Sequence, residues 1–213
     1  MKFFTITLCA AVLLACNNEA EKTEEPKVAS VTTSASATNT ATIPDSATLA
    51  KNWETYMTPG EAHKIMASWD GIWTAEITMW MAPDAPPSKS TGTVVNKMVL
   101  GGRYQQSTFK SNFNGMPFEG LGTLAYDNEK KMYTATWIDN MGTGLMVGKG
   151  PWDAATKSIT YTGTMVDPAT RKEVDFKEVF KPIDNNFQVM EMYAPGPDGK
   201  EFKTMEIKYT RKN

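Results

Sequence analysis

GIWTAEITMW, residues 71–80, is the stretch that decides the fold. Its side chains alternate: Trp73, Ala75, Ile77, Met79 and then Met81 share one side, while Thr74, Glu76, Thr78 and Trp80 share the other. A period of two belongs to a strand with one buried face, because successive side chains leave opposite faces of a sheet. Upstream the period is different. Ala62, Ile65, Met66 and Trp69 recur at helical spacing, and Thr58-Pro59-Gly60-Glu61 reads as a capping box with proline at the first helical position. A short helix that stops before Gly71 is therefore expected.

Downstream, short apolar segments follow at spacings of roughly ten to fourteen residues, each ended by turn chemistry. The breaks are Pro83 to Lys89, Gly101-Gly102, Asn114-Gly115, Asp127-Asn128, Asp139-Asn140, Asp153 to Lys157, Asp167-Pro168, Asp184 to Asn186 and Pro195 to Gly199. Nine such breaks imply about ten strands. Asn114-Gly115 supplies the positive φ of a tight hairpin. In Ser158 to Met165, Ile159, Tyr161 and Met165 alternate with Ser158, Thr160, Thr162 and Thr164, which places the threonines on the wet face. No helical pattern after residue 70 is long enough for a βαβ crossover, so neighbouring strands should run antiparallel. About ten strands that each bury one face must hide their edges. The expectation is an all-β domain with one short N-terminal helix, built as an antiparallel up-and-down β-barrel; a β-sandwich is the competing arrangement.

Composition narrows the function. The 213 residues carry a formal net charge of -2, leaving no excess of positive charge to neutralise phosphates, so nucleic acid is not expected as a partner. Both cysteines, Cys9 and Cys16, precede the folded part, which therefore holds no disulfide framework and no cysteine metal cluster. With His63 the one histidine in the chain, hydrolytic and zinc chemistry has little to work with.

The first residues, MKFFTITLCAAVLLAC, place Lys2 before an apolar stretch from Phe3 to Leu14 that is too short for a permanent membrane span and fits a secretory signal. Leu13-Leu14-Ala15-Cys16 resembles the bacterial lipobox, which implies that Cys16 is diacylated and becomes the mature N-terminus. Asn17 follows rather than Asp; by resemblance to enterobacterial sorting rules this favours the outer membrane. After the anchor, five acids (Glu19, Glu21, Glu24, Glu25, Asp45) and many Ser, Thr and Ala residues accompany no aromatic side chain, so the segment cannot offset its ordering entropy. It is expected to be a flexible tether, with surface export as an alternative reading of its acidic run. The domain plan is a signal peptide over 1–15, a lipidated cysteine and tether over 16–51, and a single barrel over 52–213.

Two resemblances follow. Gly71-Ile72-Trp73 after a short helix is similar to the Gly-X-Trp signature of the lipocalin and wider calycin barrels, in which a basic residue near the C-terminus packs across the tryptophan. Arg211 is placed for this, since Met205, Ile207, Tyr209 and Arg211 share a face of the last strand. The segments MTPGEAHK, GIWTAEITMW, LGGRYQQ, GMPFEGLGTLAYDN, TWIDNMGTG and QVMEMYAPGPDGKEFKTMEIKYTRK, spread over residues 57–212, resemble a bacterial domain family of unknown function, number fifteen seventy-nine. That resemblance implies a fold and no activity.

Few residues offer chemistry. His63 lies beside the helix's apolar stripe and reads as a packing histidine, not a triad member. Calycin relatives that bind haem generally use an axial histidine, so haem would need His63 or an unusual Tyr or Met ligand; no cofactor is expected. The pairs Met79 with Met81 and Met190 with Met192 invite a copper(I) reading, but core filling repeats at the same spacing and is preferred. Val174, Phe176, Glu178 and Phe180 share a face, which turns Glu178 inward. Glu191 is ambiguous, because it shares a face with Phe187, Val189 and Tyr193 while Met190 and Met192 compete for the interior. Arg103 and Gln105 fall with Phe109 and Phe113. The cavity candidates are thus Trp73, Arg103, Trp137, Tyr161, Phe176, Glu178, Glu191 and Arg211, whose charged members would orient a polar ligand group or form a structural ion-pair network.

Three readings stay open. One is a membrane-anchored barrel that holds a small apolar or amphipathic ligand, the reading preferred on architecture. Another is an envelope interaction lipoprotein with a filled barrel. The third is an enzyme that uses interior carboxylates on a small substrate.

Overall fold

The computed structural model describes residues 43–113 and 115–212. The signal segment, Cys16, the tether through Thr42, and Asn114 of the expected Asn-Gly turn lie outside the described residues. Helices α1 (Ser46–Met57) and α2 (Glu61–Ser68) precede β1 (Gly71–Met79), β2 (Ser88–Val99), β3 (Tyr104–Phe113) and β4 (Met116–Asp127). Then come β5 (Met132–Asp139), β6 (Met146–Gly150), the two-residue β7 (Trp152–Asp153), β8 (Ser158–Asp167), β9 (Lys172–Pro182), β10 (Phe187–Pro195) and β11 (Glu201–Arg211).

All pairings are antiparallel and run from β6 through β5, β4, β3, β2 and β1 to β11, β10, β9 and β8. A further pairing of β6 with β8, at Lys149 and Thr162, closes the ring, so ten strands form a closed barrel and β7 lies on β8 as a short flap. Closure removes the free edges of the ten barrel strands, which is the physical reason so many half-buried strands can coexist in one small domain. The β1 pattern is as read: Trp73, Ala75 and Ile77 are buried and Met79 partly so, but the strand ends there and Met81 is 84% exposed in the following loop.

Several hairpins share one device. In the turns that begin at Asp127, Asp153 and Asp167, the aspartate side chain accepts the backbone N–H two residues on, at 2.8–2.9 Å, and Lys131, Lys157 or Arg171 closes the turn at positive φ. Ser158, at the start of β8, is buried beside the Asp153 turn and shares a 2.7 Å hydrogen bond with Thr156.

The helical part departs from expectation in two ways. There are two helices, and α1 begins at Ser46, inside the stretch assigned to the tether through residue 51. Asp45 caps it by accepting from the N–H groups of Ala47 and Thr48 at 3.0 Å, and Asn128 of the barrel donates to the carbonyls of Thr55, Tyr56 and Thr58 at its far end. Burial gave no sequence signal, because no α1 residue is buried. The cap of α2 is Gly60 rather than Thr58: His63 reaches back so that its Nδ1 accepts the Gly60 N–H at 3.1 Å, while Thr58 ends α1. The apolar stripe of α2 faces as read, with Met66 and Trp69 buried.

α2 seals one end of the barrel. Met66 and Trp69 pack with Tyr133, Ile159 and Tyr161, and Gln105 Nε2 donates to the Met66 carbonyl at 2.6 Å and to Asp70 Oδ1 at 2.8 Å. Trp73 Nε1 donates to the Trp69 carbonyl at 3.1 Å, and the Arg211 guanidinium lies 4.2 Å from the centre of the Trp73 ring. Arg211 also donates to the carbonyls of Ser68, Asp70 and Asn185, tying the C-terminal strand to the end of α2. Gly71 has φ +130°, and a Cβ there would stand 2.6 Å from Arg211 Nη1. Gly71 thus supplies the positive φ that other residues rarely adopt and leaves room for the arginine beside it.

Candidate functional site

The residues facing inward enclose a cavity of about 780 Å³. Trp69, Gln105 and Tyr209 line its sealed end, while Met79, Ser88, Phe113, Phe118, Asp139 and Met141 line it where β1, β3 and β5 end and β2 and β4 begin, away from α2. Much of the wall is aromatic or thioether.

Inward glycines let the rings lie against the wall. A Cβ on Gly120 would stand 2.2 Å from the Trp137 indole, and one on Gly163 would stand 2.9 Å from the Phe176 ring. Trp137 is held there by its Nε1, which donates to Asp139 Oδ2 at 2.9 Å, and by near-parallel stacking on Phe118 at 6.5 Å. Rings laid flat along the strands occupy less of the lumen than rings projecting across it, which is how a barrel so rich in aromatic residues keeps an interior.

Strand register places one polar group among these surfaces. Met79 pairs with Met205, Met205 with Met192, Met192 with Glu178 and Glu178 with Tyr161. Cross-strand partners on one face hold their Cβ atoms about 5 Å apart. Five strands therefore contribute a continuous row of three thioethers, a carboxyl and a phenol, and because barrel strands tilt, the row descends from the outer rim to the sealed end.

Burial lifts the Glu178 carboxyl from its ordinary 4.5 to about 7, and desolvation is the whole cause. Among the described residues, no group donates a hydrogen bond to it. The same burial raises Tyr161 and Tyr209 above the usual phenol range, with the Glu178 charge as a further contribution to each. Tyr133, beside Tyr161, is pushed up to about 12 by burial and by Tyr126. Gln188, 2% exposed and also in the wall, carries an amide nitrogen without a hydrogen-bond partner.

The expected cavity set divides. Trp137, Tyr161, Phe176 and Glu178 line the chamber together. Trp73, Arg103, Glu191 and Arg211 do not. Trp73 is wholly buried between the Trp69 carbonyl and Arg211, and Arg211 is engaged by that ring and three carbonyls. Arg103 sits in the β2–β3 turn, where positive φ at Leu100, Gly101 and Gly102 breaks the alternation, and its Nη1 donates to the Leu100 carbonyl. Glu191 lies on the outer wall, where Lys181 and Lys203 bond to it at 3.2 and 3.0 Å and hold its carboxyl below the usual range against the opposing effect of burial.

Sequence reasoning missed Gln188, Tyr209 and the methionine row. The signal was present in the register of the last strands, but pairing is not visible from single-strand alternation. His63 is a buried packing residue edge-on to Tyr126 at 5.9 Å, and burial followed by the Arg103 charge lowers its pKa. Among the described residues no group of three or more His, Cys, Asp or Glu side chains could hold a metal ion, and no helix is long and apolar enough to cross a membrane.

A family model described as "Protein of unknown function (DUF1579)" matches residues 58–211. No curated protein matches the sequence. Among solved structures, the crystal structure of Rv2717c from M. tuberculosis superposes with a TM-score of 0.56 at 14% identity, covering 73% of this chain and 100% of that one, a likeness of fold alone. A redesigned β-barrel aligns with a TM-score of 0.37 at 11% identity over 70% of this chain and 95% of that one, too low to bear on the fold.

Proposed function

Because the chain belongs to the DUF1579 family, proteins of unknown function that here take the form of a closed β-barrel, we propose that it is an envelope lipoprotein whose barrel takes up a small amphipathic ligand. The observation that carries the reading is the chamber of about 780 Å³, apolar for most of its wall with a few convergent polar groups. That size and character are those of small-molecule sites. Methionines at Met79, Met192 and Met205 add flexible, polarisable surface that adapts to apolar shapes.

The competing readings fare less well. An interaction protein with a filled barrel requires no chamber. An enzyme working with Glu178 and Glu191 requires both carboxyls on one side of the wall, and they lie on opposite sides. The envelope assignment rests on Leu13-Leu14-Ala15-Cys16, with acylated Cys16 as the anchor and the outer membrane as the favoured location.

The test is uptake of N-phenyl-1-naphthylamine, a neutral apolar probe whose emission rises on leaving water, by the purified protein. Gly122→Leu is the control. A Cβ at Gly122 meets its neighbours at 3.5 Å, ordinary contact, so the rest of the side chain projects into the lumen. Saturable uptake that this variant weakens supports the reading; no uptake, or uptake unchanged in Gly122→Leu, rejects it.

A further inference from the structure

The wall around Glu178 separates charge in an unusual way. On the outer surface each nearby cation has an anion: Lys177 meets Glu201, Lys181 and Lys203 meet Glu191, and Lys203 and Lys208 meet Glu206. On the inner surface Glu178 has none. Its register partners are Tyr161 on β8 and Met192 on β10, and Tyr209 on β11 is the other titratable group close enough to feel its charge. Among the described lining residues the other charged groups are Lys89 and Asp139, both where the lumen is farthest from α2. Asp139 is already engaged by the Trp137 indole and by the backbone N–H groups of Met141 and Gly142.

Glu178 is half-buried and faces the lumen, and with no donor among the described residues its carboxyl is a liability in a core and an asset in a binding site. Leaving a polar group unpaired in an apolar environment costs roughly 1–3 kcal/mol in proteins. Closing the chamber with one more apolar side chain at that position would remove the cost. Aromatic side chains neighbour the carboxyl as well: Tyr161 is its cross-strand partner, and Phe176 and Phe180 stand two residues either side of it on the same face of β9. Carboxylate plus aromatic faces is the chemistry that holds an organic cation, through charge pairing and the attraction of ring faces for positive charge. Gln188 adds an unpartnered donor to the same wall, so the interior is not designed for hydrocarbon alone.

We infer that the chamber selects amphipathic cations, with a protonated amine seated against Glu178 among the aromatic rings and an apolar body lying along Met192, Met205 and Met79 toward the rim. This rests on the proposed ligand-binding role and names the chemical class of its ligand. The carboxyl must be ionised to pair with the amine, so selectivity for the cation grows with pH through the neutral range, while a neutral ligand of the same length binds with little pH dependence.

The test is displacement of N-phenyl-1-naphthylamine by three ligands of equal chain length: decylamine, decanol and decanoate. Near pH 8 decylamine should displace the probe at least about tenfold more tightly than decanol, with decanoate weakest, and near pH 5.5 that advantage should vanish. In Glu178→Gln, which keeps the size of the side chain, the advantage of decylamine over decanol at the higher pH should be lost. Equal displacement by decylamine and decanol near pH 8 overturns the inference and leaves the ligand-binding reading intact. So does an amine preference that persists in Glu178→Gln. Failure of the probe to bind at all removes both. The pH series on the natural protein needs no variant, so the test survives even if Glu178→Gln folds poorly.

Discussion

Replacing Glu178 by glutamine should erase a pH-dependent weakness in the barrel. In the unfolded chain the carboxyl titrates near 4.5; in the folded chain burial raises it to about 7. An acid whose folded pKa is raised contributes stability in its protonated form. Below about pH 4.5 both states hold the proton and the contribution is full. Between 4.5 and 7 the unfolded chain releases its proton while the folded chain keeps it, so stability falls as pH rises, and above 7 the loss levels off. At roughly 1.4 kcal/mol for each pH unit, the difference amounts to about 3 kcal/mol. Glutamine cannot ionise and should show none of it.

The assay is urea unfolding followed by tryptophan fluorescence, from about pH 5 to pH 8, for both proteins. Taking the difference between them cancels other titrations. His63 works in the opposite sense, because its lowered folded pKa makes stability fall as pH drops below about 6.5. Asp45, Asp127, Asp153 and Asp167, held low by turn and cap hydrogen bonds, lose their contribution only on stronger acidification. The gap between Glu178→Gln and the natural protein should widen by about 2.5 kcal/mol in favour of the variant between pH 5 and pH 8, the rest of the loss falling below pH 5. A difference constant to within about 0.5 kcal/mol would refute the placement of an unpaired carboxyl inside the barrel.

Other perturbations test other parts of the account. Arg211→Met removes the cation from the Trp73 ring and leaves the carbonyls of Ser68 and Asp70 without their donor; the midpoint of urea unfolding should fall by the equivalent of about 2–3 kcal/mol. In Gly150→Ala the new Cβ would stand 1.9 Å from the Thr160 carbonyl oxygen, so the β6–β8 closure must part; amide exchange should accelerate in those strands before it does in β1 or β11. Lys157→Gly relieves a lysine held at φ 51° and should raise the melting temperature by roughly 2–4 °C for about 1 kcal/mol gained. Cys16→Ser should move the protein from the detergent phase to the aqueous phase in a partition assay of host cells, and retention in detergent would reject acylation as the anchor.

The barrel was legible because its strands are half-buried. Alternation in residues 71–79 gives the inward set of β1, and the polar breaks give the number of long strands. Glu178 could be placed inward because Val174, Phe176 and Phe180 outweigh Asp175 and Lys177 on the other face. Glu191 could not be placed, since both faces of β10 are apolar: Val189 and Tyr193 flank it outside, Met190 and Met192 inside. Periodicity then carries no information, and the lysines that hold Glu191 outside come from β9 and β11. Arg103 was misplaced because alternation was extended through a turn that resets it. Trp73 and Arg211 match the calycin pattern in contact, yet that contact lies at the sealed end and not in the chamber wall. Gly120 and Gly163 read as weak strand positions until the rings they seat are seen. Helix α1 had no buried face to announce it.

The central claim is that the barrel interior is a ligand chamber, and native mass spectrometry of the protein purified gently from its own host addresses it most directly. The account predicts a reproducible non-covalent adduct of a single small amphipathic molecule, compatible with about 780 Å³, that is lost on denaturation and reduced in Gly122→Leu. A bare protein mass, together with failure to take up N-phenyl-1-naphthylamine, would contradict it.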